Sequence, residues 1–127
     1  PPRTPDRRAV VSLAVWLVAV AGLGMAALAQ EQGRYEITLT AKRYEFSQAR
    51  IEVADNDVVK ITLVAEDIPH SFTVDEYRIS KRAAPGRPVT FEFRADKPGT
   101  FTYYCNLTAE DGCRRMRGEL VVTARRP

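Results

Sequence analysis

The sequence predicts one all-β domain, a sandwich or barrel of short strands, preceded by an N-terminal hydrophobic helix. Three observations predict it. From Arg34 onward apolar residues alternate with polar ones at a period of two, the pattern of strands with one buried face. Clusters of Asp, Asn, Pro and Gly separate the alternating runs. No stretch of ten or more residues after position 30 repeats at a helical period, so neither βα alternation nor a helical bundle fits.

The elements follow in order. Pro1–Arg8 is polar and basic, and Ala9–Ala29 is 21 residues without a charge. As a helix this run spans about 31 Å at ~1.5 Å per residue, enough to cross a hydrocarbon core. It also has the parts of a secretory signal: a basic start, an apolar stretch over Ala9–Ala21, helix-weakening Gly22 and Gly24, and small residues at Ala27-Leu28-Ala29. Residues 1–29 are therefore read as a signal peptide or an N-terminal membrane anchor. With either, residues 30–127 lie outside the cytoplasm, in a periplasmic or equivalent compartment.

The strand runs begin with Tyr35, Ile37 and Leu39, then Tyr44 and Phe46, then Ile51 and Val53. Val59, Ile61 and Leu63 form the next, and Phe72 and Val74 follow Pro69. Val89, Phe91 and Phe93 alternate against Thr90 and Glu92, Phe101, Tyr103 and Cys105 continue the pattern, and Leu120–Val122 closes it. Turns are expected at Ala54–Asp57, Ala84–Gly86 and Lys97–Gly99. Tyr103 and Tyr104 are read as packing residues. No internal repeat or linker divides residues 30–127.

Composition narrows the function. At 127 residues, 45% hydrophobic and 28% charged, the chain is an ordinary globular domain, too short for a multidomain enzyme. The net charge of +3 sits mostly in Arg3, Arg7 and Arg8; residues 30–127 hold 16 basic and 15 acidic side chains. No basic stripe with interleaved aromatics is present, so nucleic acid is not an expected partner. Two cysteines are too few for a disulfide-built scaffold or a four-thiolate zinc site. The single histidine, His70, rules out any site needing two imidazoles from this chain. There is no Ser/His/Asp or Cys/His/Asn set and no phosphate-cradling Gly loop, so neither an enzyme nor a small-molecule substrate is expected.

Four side chains stand out as carriers of chemistry: His70, Cys105, Cys113 and Met116. Cys105 ends an alternating run, Cys113 and Met116 lie in the short loop after it, and His70 opens the run that follows Pro69. Thiolate and thioether ligands select Cu(I), and imidazole serves both copper oxidation states.

On these residues the chain resembles the cupredoxin family, over nearly all of residues 34–123. Tyr44-Glu45-Phe46-Ser47, Ile51-Glu52-Val53 and Asp57-Val58-Val59 resemble its opening strands. Asp67-Ile68-Pro69-His70-Ser71-Phe72 resembles the strand with the first histidine ligand, and Lys97-Pro98-Gly99-Thr100-Phe101-Thr102-Tyr103-Tyr104-Cys105 the approach to the ligand cysteine. Arg114–Val122 resembles the segment with the methionine ligand and the final strand. The resemblance implies a Greek-key β-sandwich and a copper site. Asn56 stands where the family often has a turn glycine, a substitution a left-handed asparagine tolerates. The loop is most similar to the pattern C-x3-C-x3-H-x2-M of the copper-binding domains of cytochrome c oxidase subunit II and nitrous-oxide reductase. Set on that pattern, Cys105 takes the first cysteine, Ala109 the second, Cys113 the histidine and Met116 the methionine. Without a thiolate at position 109 a binuclear centre lacks its bridging sulfurs, and with Cys113 in place of the histidine the blue-copper set is incomplete.

Three readings follow. One copper ion is held by His70, Cys105, Cys113 and Met116, for electron transfer to a redox partner protein or for delivery to a copper acceptor. Alternatively, Cys105 and Cys113 form a disulfide in a metal-free binding or structural module; the resemblance puts both at one ion, hence close together. Closing that loop stabilises the fold by about 2.6 kcal/mol in the chain-entropy model, and an extracytoplasmic compartment is oxidising. Third, the pair switches, binding copper when reduced and closing when oxidised. Asn106-Leu107-Thr108 matches a glycosylation sequon in a poorly placed loop, and Arg114, Arg115 and Arg117 are a solvated cluster or a docking patch for an acidic partner.

Overall fold

The computed structural model describes residues 33–125, and the predicted N-terminal helix lies outside them. The described residues form nine strands in two sheets. They are β1 (Arg34–Lys42), β2 (Glu45–Phe46), β3 (Arg50–Ala54), β4 (Val58–Ala65), β5 (His70–Val74), β6 (Ile79–Ala83), β7 (Val89–Arg94), β8 (Gly99–Tyr104) and β9 (Arg117–Thr123). One sheet has the order β2-β1-β4-β7 and the other β3-β9-β8-β5-β6. The non-sequential order is that of a Greek-key sandwich, with parallel pairs at β1–β4 and β3–β9 and antiparallel pairing elsewhere.

Period-two alternation becomes the core directly. β4 alternates through buried Val59, Ile61, Leu63 and Ala65, and Leu39 and Ala41 of β1 join them. From the second sheet come Ile51, Val53, Phe72, Val74, Tyr103, Leu120 and Val122. Phe46, Tyr103, Phe72 and Phe91 run through the core in ring contact, with centroids 5.3, 5.1 and 5.6 Å apart in sequence. Tyr103 is fully buried, and its hydroxyl donates to the Gln48 carbonyl at 2.5 Å. Burial pushes its phenol up to about 12. Tyr104, by contrast, is half-buried and donates to Asp75 at 2.8 Å.

Strand β6 escapes the sequence pattern. Only Ile79 and Ala83, at its two ends, are buried, and Ser80, Lys81 and Arg82 between them are exposed. It is an edge strand, and cationic side chains on an edge discourage pairing with another chain while erasing the alternation that marks a strand. At the expected Ala54–Asp57 turn Asn56 adopts φ 71°, the left-handed conformation read from the sequence. Asp57 closes the turn with its own amide on the Ala54 carbonyl, 3.0 Å, and its carboxylate on the Ala54 amide, 2.9 Å, and it pairs with Arg125.

Gly118 sits directly across from Tyr103 on β9, and a Cβ there would run into the Tyr103 ring. Gly118→Ala is therefore expected to destabilise the domain by about 2 kcal/mol. In urea titrations the cost should shrink in a Tyr103→Leu background; an equal cost in both backgrounds would separate the glycine from the ring.

Candidate functional site

Three strand ends converge. β8 runs antiparallel to both β5 and β9, with Thr73 opposite Tyr104 and Tyr104 opposite Arg117. The start of β5, the end of β8 and the start of β9 therefore lie together, bringing His70, Cys105 and Met116 to one end of the sandwich.

His70 is fully buried and follows Pro69, whose fixed φ favours the extended entry into the strand. Its Nε2 lies 2.8 Å from Asp67 Oδ1. Asp67 also accepts the Arg43 amide at 2.7 Å on Oδ2 and the Ile68 amide at 2.7 Å on Oδ1. Burial works to raise this carboxyl, but the hydrogen bonds from the Arg43 amide, His70 and the Ile68 amide outweigh it and hold Asp67 well below the usual carboxylate range. An ionised carboxylate only accepts, so the Nε2 facing it carries the proton. In the neutral imidazole Nδ1 is then the acceptor, and this buried atom has no hydrogen-bond partner.

Cys105 follows β8 and is fully buried. Its Sγ accepts the Ser71 amide at 3.3 Å, and its own amide donates to the Met116 carbonyl at 3.3 Å. Asn106 locks the same junction: its amide donates to Ser71 Oγ at 2.8 Å, its side-chain oxygen accepts from Ser71 Oγ at 2.7 Å, and its Nδ2 donates to Ser80 at 3.1 Å. The sequon asparagine thus has its amide nitrogen engaged within the fold.

A 3₁₀ turn over Asp111–Arg115 then carries Cys113 back under the loop. The Cys113 amide donates to the Glu110 carbonyl at 3.3 Å and the Met116 amide to the Cys113 carbonyl at 3.0 Å. Cys113 and Met116 are 2% and 1% exposed, so all four predicted site residues are buried. Cys105 and Cys113 are joined as a disulfide with Cα atoms 5.2 Å apart. In this form two of the four predicted donors are spent on each other, and among the described residues no three His, Cys, Asp or Glu side chains converge on a metal position.

Sequence reasoning missed four supports. Asp67 aims His70, the Ser71 amide holds the Cys105 sulfur, and Asn106 ties the loop to two strands. Tyr44 lies over Gly112, where a Cβ would strike its ring, and its hydroxyl donates to Glu110 at 2.5 Å. Glu110 also faces Arg43 at 3.8 Å. An Asp three residues before the histidine was the one signal in the sequence. The other supports pair residues far apart in the chain.

A family model described as a cupredoxin-like domain matches residues 10–122. The chain belongs to the cupredoxin-like family. Among curated relatives of this domain, cytochrome c oxidase subunit 2 of Thermostichus vulcanus is 43% identical over 64 residues, covering 50% of this chain and 19% of that protein. Nitrous-oxide reductase of Stutzerimonas stutzeri is 26% identical over 97 residues, 73% of this chain and 15% of that protein. The cupredoxin-like chain thus spans less than a fifth of the length of either relative. The periplasmic domain of cytochrome oxidase subunit II of Bradyrhizobium japonicum superposes with TM-score 0.64 at 19% identity, over 71% of this chain and 84% of that one. A subunit II of cytochrome c oxidase in a mixed-disulfide intermediate with a thioredoxin-like protein superposes with TM-score 0.58 at 21% identity, over 71% and 82%.

Asp67 generates a pH prediction. A carboxylate held below its ordinary 3.8 stabilises the fold above that pH and loses the contribution as pH falls through its depressed folded value. Stability should therefore decline in acid. Asp67→Asn should lower it by about 2 kcal/mol at neutral pH and flatten the acid limb of the curve. Urea unfolding across a pH series checks both, and an unchanged acid limb would remove Asp67 from the account.

Proposed function

We propose that this cupredoxin-like domain works outside the cytoplasm as a redox-gated binder of one copper ion, serving electron transfer or copper handling. With the disulfide reduced, the donors are His70 Nδ1, Cys105 Sγ, Cys113 Sγ and Met116 Sδ. The observation that carries the reading is the His70 Nδ1 lone pair: buried, unpartnered, and held in orientation by an ionised carboxylate on the far side of the ring. A partnerless buried acceptor costs stability unless something binds it, and orientation by a carboxylate is how a ligand histidine is commonly prepared for a metal. The buried sulfurs of the adjoining loop complete a soft donor set suited to Cu(I).

When bound, copper supplies a one-electron couple. The residues of the chain do the rest. Asp67 keeps the Nε2 proton in place, the Ser71 amide stabilises Cys105 as a thiolate, and burial keeps water from His70, Cys105 and Met116. Arg114, Arg115 and Arg117 are exposed beside the loop and suit an acidic partner, either a redox protein or a copper acceptor. The disulfide supports an oxidising, extracytoplasmic setting, in keeping with the periplasmic location of the related subunit II domain. The mixed disulfide formed by a related subunit II supports reduction of this pair by a partner dithiol.

A second reading has its own observation. The closed disulfide favours a metal-free module in which His70 and Met116 only fill the core. One titration separates the two readings. The full chain, reduced by a phosphine without oxygen, should take up one Cu(I) against a chromophoric chelator, and the oxidised chain none. Cys105→Ser should abolish uptake, and Met116→Leu should weaken it by about tenfold. Reduced Cys113→His should show an intense sulfur-to-copper charge-transfer band with Cu(II). Absence of uptake by the reduced chain would leave the metal-free module.

A further inference from the structure

The disulfide is asymmetric in its surroundings. A surface cavity of about 290 Å³ opens beside the loop, walled mainly by Ile68, Pro69, Leu107 and Ala109, with Arg82, Thr108, Glu110 and Cys113 also in its lining. That is nearly ten times the ~30 Å³ a water occupies in the liquid, room for a cysteinyl side chain and its flanking backbone. Cys113 reaches this lining and Cys105 does not. Cys105 is fully buried, with its sulfur against the Ser71 amide. Arg82 stands opposite Ser71 in the β5–β6 register and contributes a cation to the lining, across which Glu110 contributes a carboxylate.

We propose that Cys113 is the sulfur through which this disulfide is opened, and that the cavity seats the attacking cysteine of a dithiol protein whose flanking residues are apolar. The inference rests on the reading that reduction of the pair precedes copper binding. A partner thiolate enters the cavity, where Arg82 offsets the repulsion of Glu110 on the ionised nucleophile, and its sulfur bonds to Cys113 Sγ. The Cys105–Cys113 bond breaks, and its electron pair leaves on Cys105 Sγ, which the Ser71 amide receives. The partner's second thiolate then attacks its own sulfur in the mixed disulfide and releases Cys113 as a thiolate. The partner ends as a disulfide, two electrons poorer; this chain ends with both cysteines reduced, and the two protons of the partner's thiols balance the two thiolates.

Exchange rates depend on which sulfur is accessible and on how well the leaving thiolate is stabilised. Here both factors select the same direction. The apolar walls decide the source of the thiol: a peptide segment gains contact there that a small charged thiol does not. Cys113 lies outside the C-x3-C part of the loop pattern, so the entry route belongs to this chain's own substitution of cysteine for histidine.

The test uses the oxidised full chain and two monothiol probes, a short peptide with one cysteine between leucines, and glutathione. After brief reaction the mixture is quenched in acid, free thiols are alkylated, and cleavage before Asp111 separates Cys105 from Cys113 for mass spectrometry. Expected are the peptide on Cys113 and the alkyl group on Cys105, by about tenfold over the reverse, and peptide reacting faster than glutathione. Ala109→Trp, which fills the cavity from an exposed position, and Arg82→Glu should each slow the peptide reaction by about tenfold. Peptide on Cys105, an even mixture, or rates indifferent to both substitutions would overturn the proposal. Glutathione as fast as the peptide would overturn its assignment to a protein thiol. Cu(I) uptake after phosphine reduction is read separately, so loss of copper binding with the Cys113 adduct intact fails the functional reading and not the route.

Discussion

The alignment of β5 against β8 is the constraint on which the site depends. Its ladder continues past the end of β8 through the Ser71 amide on the Cys105 sulfur and the Asn106 amide on Ser71 Oγ. A slip of one residue would exchange the face occupied by His70 and Phe72 with that occupied by Ser71 and Thr73. β5 resists that slip because it is buried along its whole length, held between β6 and β8. The chain's one imidazole and its first cysteine are therefore fixed relative to each other by this pairing of adjacent strands.

Around that backbone junction, electrostatics prepares the histidine and covalent chemistry withholds the sulfurs. Asp67, held ionised by two amides and the imidazole, decides which ring nitrogen is bare. The disulfide converts two soft anionic donors into a neutral bond. Reduction by two electrons would return both sulfurs of this pair as thiolates. A thiolate pair suits a soft cation, and the closed pair leaves only the imidazole and the thioether. Closure of the disulfide depends on the identity of residue 113: a histidine there cannot close on Cys105.

Strand content was legible because burial of one sheet face imposes a period of two, and β1, β3, β4, β7 and β9 each carry it. β6 was not legible, since an edge strand with three exposed residues between buried ends has no such period. In the site, His70, Cys105, Cys113 and Met116 were legible by residue type and by resemblance of the loop. Their supports were not. Ser71 and Asn106 are ordinary polar residues whose roles arise from a register 35 positions apart in sequence, and Tyr44 reaches the loop from 66 positions away.

The sequence by itself determined the all-β class, the family and the incompleteness of the blue-copper set, because periodicity, motif order and the presence of one histidine are properties of the chain. Tertiary structure alone decided that His70 Nδ1 is the free nitrogen, that the Ser71 amide serves Cys105, and that Cys113 rather than Cys105 meets the cavity. These are properties of contacts between strands distant in sequence, and no local pattern encodes which atom of a buried side chain is left without a partner.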